Sequence, residues 1–355
     1  MKILFLTRRF YPHVGGVEKH IWKVGTQLMQ HGHEVSIIAQ NHDPETITDG
    51  TTRIKGFPVT FVDFGPESKW QKLRIWSWMI QHIGIFMKAD VVHAHDVLFW
   101  YYPLRMLLFW KPVYATFHGD EKVFPPAYRA VSLRRFSAFL ARAYINVGSY
   151  LEKWYGTLGD ITIWGAVDGN YVPAPEALDS SAASGASKMP SKTSSLRILL
   201  LGRLDPDISI QKYCDILRAL QDRKFAFTLD ACGDGKLKSA ISSFGRVHGF
   251  VDDVDPYIER ADVVLCSSYL AILEALSHGK RVVAVYDHPM KKDYLTMTPF
   301  AQWICVTDSV DEAVEYIATK GKMPFTAREQ QGISAYIDSV SWEAVTDLYE
   351  QLWKK

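Results

Sequence analysis

The sequence predicts two α/β domains, each a doubly wound sheet of parallel strands, joined by a low-complexity linker. Three observations predict it. Short apolar runs alternate with helical patterns through both halves of the chain, and those runs end in glycine, serine or histidine loops. The stretch 173–195, PAPEALDSSAASGASKMPSKTSS, has almost nothing to bury and separates the two series as a flexible linker. A length of 355 residues with 48% hydrophobic content supplies core for two domains.

In the first half, Lys2 to Thr7 reads as a buried strand, Arg8 to Gly16 as a loop carrying Gly15 and Gly16, and Val17 to His31 as a helix ended by Gly32. Strands follow at Glu34 to Gln40, Phe57 to Phe64, Val91 to His95, Val113 to Phe117, Tyr144 to Gly148 and Asp160 to Trp164. Two of them end in histidines: His93 and His95 on one, His118 just after the other. Ligands of open α/β sheets collect at the carboxyl ends of strands, so Gly15, Gly16, His93, His95 and His118 are expected around one crevice. His93 and His95 read equally well as site lining or as locally hydrogen-bonded groups. No third ligand stands at metal spacing beside these histidines, so no metal is expected. The second half repeats the architecture at Leu196 to Gly202, Phe227 to Cys232, Arg246 to Gly249, Asp262 to Cys266 and Arg281 to Tyr286. Domain limits of 1–172 and 196–340 follow, with 341–355 as a closing helix that packs back on the first domain. The two domains are expected to face a central cleft.

The stretch Leu265 to Tyr286, LCSSYLAILEALSHGKRVVAVY, reads as a phosphate-binding crossover. Ser267 or Ser268 can cap a helix whose Leu270, Leu273 and Leu276 face a sheet, and Gly279 ends it. A helix start at the end of a parallel strand offers free N–H groups and the positive end of a dipole, which suits a diphosphate. Glu274, one turn in, can hydrogen-bond a ribose diol or simply be a solvated helix position.

Composition bounds the function. With 40 basic and 39 acidic residues the formal charge is +1, so no nucleic-acid partner is expected. Cys214, Cys232, Cys266 and Cys305 form no CxxC pair and read as reduced, buried thiols of a cytoplasmic protein. The opening MKILFLT is too short for a signal-peptide core, and no run approaches the roughly 20 apolar residues of a membrane span. The expectation is a cytoplasmic protein, soluble or peripheral at the inner face of the cytoplasmic membrane.

The chain resembles the glycosyltransferases of family 4 nearly end to end. The resemblance rests on FYPHVGGVEKHIWKVGTQLMQHGHEV, DVVHAHD, ATFHGDE, WGAVD, LLGRLDPD, ACGDGKL, VHGFVDD and ILEALSHGKRVVA, in that order and spacing. It implies a GT-B fold and a retaining, metal-independent transfer of sugar from a nucleotide-diphosphate sugar, UDP- or GDP-linked, to a glycan or lipid-linked acceptor, with no cofactor. By resemblance Gly15 and Gly16 form a loop against the donor, helped by their freedom at positive φ. His118 contacts the donor sugar near the reacting carbon. Arg203 binds the diphosphate and stabilises its departure. Gly233 and Phe250 border the nucleotide, Ser267, Ser268, Tyr269 and Leu270 hold the phosphates, and Glu274 holds the ribose. The run Asp252-Asp253-Val254-Asp255 reads as a solvated loop and helix cap rather than a metal-binding pair.

Two departures bear on the donor. The family places a lysine five residues after Arg203, where this chain has Ile208, and Lys212 one helical turn on is the candidate substitute. The family's first glutamate, eight positions before Glu274, is here Cys266, which leaves the donor sugar undetermined.

From Lys69 to Pro112 the chain is rich in aromatics, including Trp70, Trp76, Trp78, Phe86, Phe99, Trp100, Tyr101, Tyr102, Phe109 and Trp110. Lys122, Arg129, Arg134, Arg135 and Arg142 follow, interleaved with Phe124, Tyr128, Phe136 and Phe139. Two readings fit: insertion of 69–142 into an anionic membrane surface, or core aromatics beside a solvated basic face. A nucleotide-sugar epimerase of the same fold and a non-catalytic nucleotide- or carbohydrate-binding member are the alternatives to a transferase.

Overall fold

A computed structural model describes residues 1–42, 47, 49–66, 68, 70–119, 124–169, 171–172, 195–206 and 209–354. The expected linker up to residue 194, Ile208, Lys69 and Lys122 lie outside the described residues. The chain forms two compact units, Met1–Trp164 with Trp342–Lys355, and Gly165–Ser341. Residues 165–172, expected in the first domain, go with the second unit: Val167 N–H donates to Val340 O and Val172 N–H to Ser277 O.

The first unit is built on β1 (Lys2–Thr7), β2 (Glu34–Gln40), β3 (Gly50–Ile54), β4 (Phe57–Val62), β5 (Val91–His95), β6 (Val113–Phe117), β7 (Ala143–Val147) and β8 (Ile161–Ile163). Their order is β3-β4-β2-β1-β5-β6-β7-β8. Every pairing is parallel except β3 with β4. The exposed, polar β3 closes a two-residue hairpin through Lys55 and Gly56, whose φ values of 51° and 93° give the turn that matches strand twist. Ile3 to Leu6 of β1 are buried without alternation because helices cover both faces of the sheet. The helices are α1 (Gly16–Gln30), α2 (Gln71–Gln81), α3 (Ile83–Lys88), α4 (Tyr102–Leu107), α5 (Tyr128–Leu140) and α6 (Tyr150–Tyr155). The closing helix α14 (Trp342–Trp353) belongs to this unit. It buries Trp342, Val345, Tyr349 and Leu352, and its Tyr349 hydroxyl reaches His20 of α1 and Thr116 of β6.

The second unit has β9 (Leu196–Leu201), β10 (Phe227–Cys232), β11 (Arg246–Gly249), β12 (Val263–Leu265), β13 (Arg281–Val285) and β14 (Cys305–Thr307). All are parallel, in the order β11-β10-β9-β12-β13-β14. Its helices are α7 (Ile210–Asp222), α8 (Lys238–Ser242), α9 (Asp255–Arg260), α10 (Tyr269–Ser277), α11 (Pro289–Thr296), α12 (Val310–Lys320) and α13 (Ala327–Ser339). Ile198, Leu200, Tyr213, Leu217, Val263, Leu265, Val283 and Ile317 form one core between sheet and helices. The order reverses between β9 and β12, which opens the carboxyl edge there, where ligands of this architecture bind. The corresponding reversal in the first unit lies between β1 and β5.

Candidate functional site

At the second unit's reversal the loops after β9 and β12 carry the expected donor residues. Arg203 follows β9, and its guanidinium donates to Asp205 Oδ2 at 3.0 Å. Asp205 Oδ1 in turn accepts the Lys236 N–H, so the carboxylate fixes the fork to the β10–α8 loop. The strand ends are laced together: Gly233 N–H donates to Gly249 O at 2.7 Å and Gly202 N–H to Cys232 O at 3.1 Å. A Cβ on Gly233 would collide with the Gly202 carbonyl, so this close approach requires glycine. Phe250 stands exposed beside this knot.

Lys212 points elsewhere. Its ammonium donates to Asp308 O at 2.9 Å, just past β14 and three strands along from β9, or roughly 14 Å at sheet spacing. The structure does not bring it to Arg203.

The β12–α10 crossover is tighter and drier than the sequence implied. Cys266 is buried; burial first, then the neighbouring Glu274 carboxylate, holds its thiol well above the ordinary range. Ser267 is committed to the sheet: its hydroxyl donates to Val285 O, accepts the Val285 N–H, and shares a hydrogen bond with Tyr213. It therefore locks the crossover to β13 instead of meeting phosphate. Ser268 occupies the N-cap position in extended conformation, and its side chain makes no cap hydrogen bond. Tyr269 is buried and its N–H donates to the Tyr294 hydroxyl. Ile272 N–H is satisfied by Ser268 O, so helix geometry leaves the Leu270 and Ala271 N–H groups as those without an intrahelical acceptor. Glu274 is half-buried one turn on. Asp253 Oδ1 accepts the N–H of Asp255, the first residue of α9, but the N-cap is Val254 and carries no side-chain cap, so the expected helix cap is not formed by an acid at that position.

The first unit differs from expectation in two places. Gly15 is the N-cap of α1 with φ −164°, an extended conformation open to any residue, and Gly16 is helical, so positive φ explains neither glycine. A Cβ at Gly15 would meet the tip of the buried Glu18 carboxylate, which His13 Nδ1 holds at 3.0 Å, so a larger residue there would have to shift that side chain. The anion at the start of α1 is thus the chain's own.

The histidines form a buried cluster beneath α14. His93 and His95, two apart on β5, share a face. His93 Nε2 bonds the Thr116 hydroxyl at 2.8 Å and its Nδ1 accepts from Trp353 Nε1 at 3.1 Å. Both histidines are fully buried, so neither lines a crevice. His95 Nδ1 pairs with His118 Nε2 at 3.1 Å, and the His20 ring meets the His118 ring edge-on at 5.0 Å. Burial pushes His20 and His93 down to about 3 and, with help from neighbouring histidines, His95 and His118 well below their usual range. The cluster is neutral at physiological pH. His118, at the carboxyl end of β6, is its outermost member, and its backbone N–H is held by Asp96.

The sequence pattern missed Asp205, Tyr294 and His20. Asp205 was within reach as an acid two residues from Arg203; the other two act through tertiary contacts that no local spacing marks.

Residues 14–160 match the family model described as Glycosyltransferase Family 4, and residues 195–299 that of Glycosyl transferases group 1. No curated protein sequence matches the chain. Among solved structures, a glycosyltransferase from Rickettsia africae is similar with a TM-score of 0.64 at 14% identity, covering 99% of this chain and 98% of its own. The catalytic domain of starch synthase IV from Arabidopsis thaliana, bound to ADP and acarbose, gives the same values. HepE from Anabaena, in complex with UDP and glucose, has a TM-score of 0.61 at 15% identity over 99% of this chain and 95% of its own.

Proposed function

The chain belongs to the family 4 glycosyltransferases, with the GT-B fold of two Rossmann-like units, and we propose that it is a retaining enzyme that moves a sugar from a UDP- or GDP-linked donor to a glycan or lipid-linked acceptor at a membrane surface. The observation that carries the proposal is Arg203 and the start of α10 standing on either side of the strand-order reversal in the second unit. That the Arabidopsis and Anabaena proteins hold ADP and UDP supports a nucleoside diphosphate there.

As the anomeric bond breaks, negative charge gathers on the diphosphate. The Arg203 fork, oriented by Asp205, and the Leu270 and Ala271 N–H groups meet that charge, so the reading needs no metal ion. Glu274 accepts from the ribose diol. In the first unit, neutral His118 at the carboxyl end of β6 remains the residue that the resemblance assigns to sugar contact.

A membrane-facing acceptor is supported by side-chain exposure in the first unit. The aromatic stretch divides: Phe86, Trp100 and Tyr101 are core, whereas Phe109, Tyr128 and Phe139 are 72%, 84% and 80% exposed. Phe136 and Phe139 stack on α5 at 6.5 Å, Tyr102 packs edge-on to Phe136, and Arg105 donates to Leu140 O, which joins α4 to α5. Arg129, Arg135 and Arg142, on and just after α5, are exposed, and Arg135 Nε donates to Tyr155 O at 2.9 Å. An open depression of about 440 Å³ lined by Lys72, Tyr128, Arg129 and Leu133 lies against α5. An apolar patch with a basic rim suits an anionic interface. Among the described residues no helix is long and apolar enough to cross a membrane.

The test is incubation with UDP- and GDP-sugars and detergent-solubilised membrane lipids. Acceptor-dependent release of nucleoside diphosphate, with the donor's anomeric configuration kept in the product by NMR, is expected. A new sugar epimer formed without acceptor would favour an epimerase. Tight nucleotide binding without turnover would favour a non-catalytic member, a reading that the Asp205–Arg203 pair and the occupied Tyr269 N–H make specific.

A further inference from the structure

Away from the donor residues, the end of α1 and one face of α14 bring together His31, His33, Asp347 and Glu350. His31 Nδ1 lies 2.9 Å and His33 Nε2 3.0 Å from the same oxygen, Glu350 Oε1. One ligand atom each from His31, Asp347 and Glu350 lies within 4.8 Å of the others. His31 and Glu350 are 319 positions apart, so the fold, not local sequence, assembles the group.

Each half is shaped for the purpose. Gly32 takes φ +84°, a left-handed conformation that turns the chain so that the imidazoles on either side of it can address α14. Asp347 and Glu350 are three apart on α14 and so share a helix face. All four residues belong to the first unit.

We propose that His31, Asp347 and Glu350, with His33 beside them, form a divalent transition-metal site that takes Zn2+ and clamps α14 to the end of α1. His31, Asp347 and Glu350 are nitrogen and oxygen donors that zinc accepts at about 2.0–2.2 Å from each, with water completing the tetrahedron. His33, whose Nδ1 faces the Met1 ammonium at 3.1 Å, stays a hydrogen-bond partner of Glu350. Tetrahedral geometry sets neighbouring ligand atoms about 3.5 Å apart, against 2.9 Å between His31 Nδ1 and Glu350 Oε1 and a group lying within 4.8 Å, so small side-chain rotations bring the three atoms to the ion. Zinc replaces the proton on His31 Nδ1, and that proton passes through solvent to Nε2, so the imidazole stays neutral. The partly exposed side chains give a hydrated ion direct access. The clamp is structural and independent of the sugar-transfer reading.

The test uses the full chain without a polyhistidine tag, stripped by chelation, titrated with ZnCl2 by calorimetry and followed by thermal unfolding. The expected result is one zinc per chain and a melting temperature raised by about 2 °C or more at saturation. His31→Gln and Glu350→Gln, both at the surface and checked for native circular dichroism, should each weaken binding at least tenfold and remove the thermal shift. No zinc uptake by the wild type up to about 100 µM overturns the proposal. So does uptake of equal affinity in both variants, which is what the cysteine thiols alone would give.

Discussion

Tyr269 and Tyr294 stack face to face, ring centroids 4.0 Å apart and planes 3° from parallel, and are joined by two hydrogen bonds. The Tyr294 hydroxyl accepts the Tyr269 N–H at 3.1 Å, and the Tyr269 hydroxyl donates to Tyr294 O at 2.7 Å. The first residue of α10 is thereby capped by a side chain from α11 instead of by Ser267 or Ser268. Tyr294→Phe keeps the stack but strands a buried N–H. It should cost about 1–3 kcal/mol of stability, read as a lower urea midpoint with unchanged slope. A midpoint equal to wild type would show that the cap carries no weight.

Cys266 and Glu274 sit close enough for the carboxylate to act on the thiol, and Cys266 has essentially no exposure. Reinstating the family's acid with Cys266→Glu would bury a carboxyl beside another carboxylate. The expected outcome is loss of about 2–4 kcal/mol and no gain in donor affinity, measured by urea unfolding and nucleotide titration. A stable variant that binds a nucleotide sugar more tightly would show that position 266 opens on the donor.

The histidine cluster makes the first unit sensitive to acid. Burial holds His20 and His93 at about 3 in the fold, against 6.5 for an unfolded chain. Between those values the unfolded state binds protons that the folded state refuses, so stability rises with pH across the window and falls on acidification below about 6.5. From pH 7 to pH 5 each such histidine contributes a loss of about 2 kcal/mol. Urea unfolding of the full chain at the two pH values measures it, and His20→Gln should remove one histidine's share. A pH-independent midpoint would contradict the neutral, buried assignment.

The exposed aromatics set the expected membrane behaviour. A Phe109→Ser, Phe139→Ser double variant should fold normally, since both rings are solvent-exposed, yet lose at least tenfold in co-sedimentation with phosphatidylglycerol vesicles. Raising salt should weaken wild-type binding further, through Arg129, Arg135 and Arg142. Wild-type sedimentation no better with anionic than with neutral vesicles would remove the basic rim from the account.

Much of the fold was legible because strands buried on both faces read as continuous apolar runs, as in Leu4 to Leu6 and Val282 to Val285. Exposed β3 and three-residue β14 have no such run and were missed. At the site, residue types and order pointed to Arg203, Glu274 and the start of α10, but not to side-chain direction. Ser267 turns inward because Val285 and Tyr213 offer partners there. His93 and His95 are covered because α14 returns from the far end of the chain, and Lys212 turns to Asp308. These outcomes depend on contacts between distant elements, which spacing along the chain does not encode.

The most direct measurement is a thermal-shift panel of UDP-, GDP- and ADP-sugars on the wild type and on Arg203→Ala, Glu274→Ala and Lys212→Ala. A ligand that binds only the folded chain raises its melting temperature. The account predicts that one nucleotide sugar stabilises the wild type and Lys212→Ala alike and loses at least tenfold in affinity on Arg203→Ala and Glu274→Ala. Stabilisation that survives loss of Arg203 and Glu274, or that no nucleotide sugar produces, would contradict a donor site at the ends of β9 and β12.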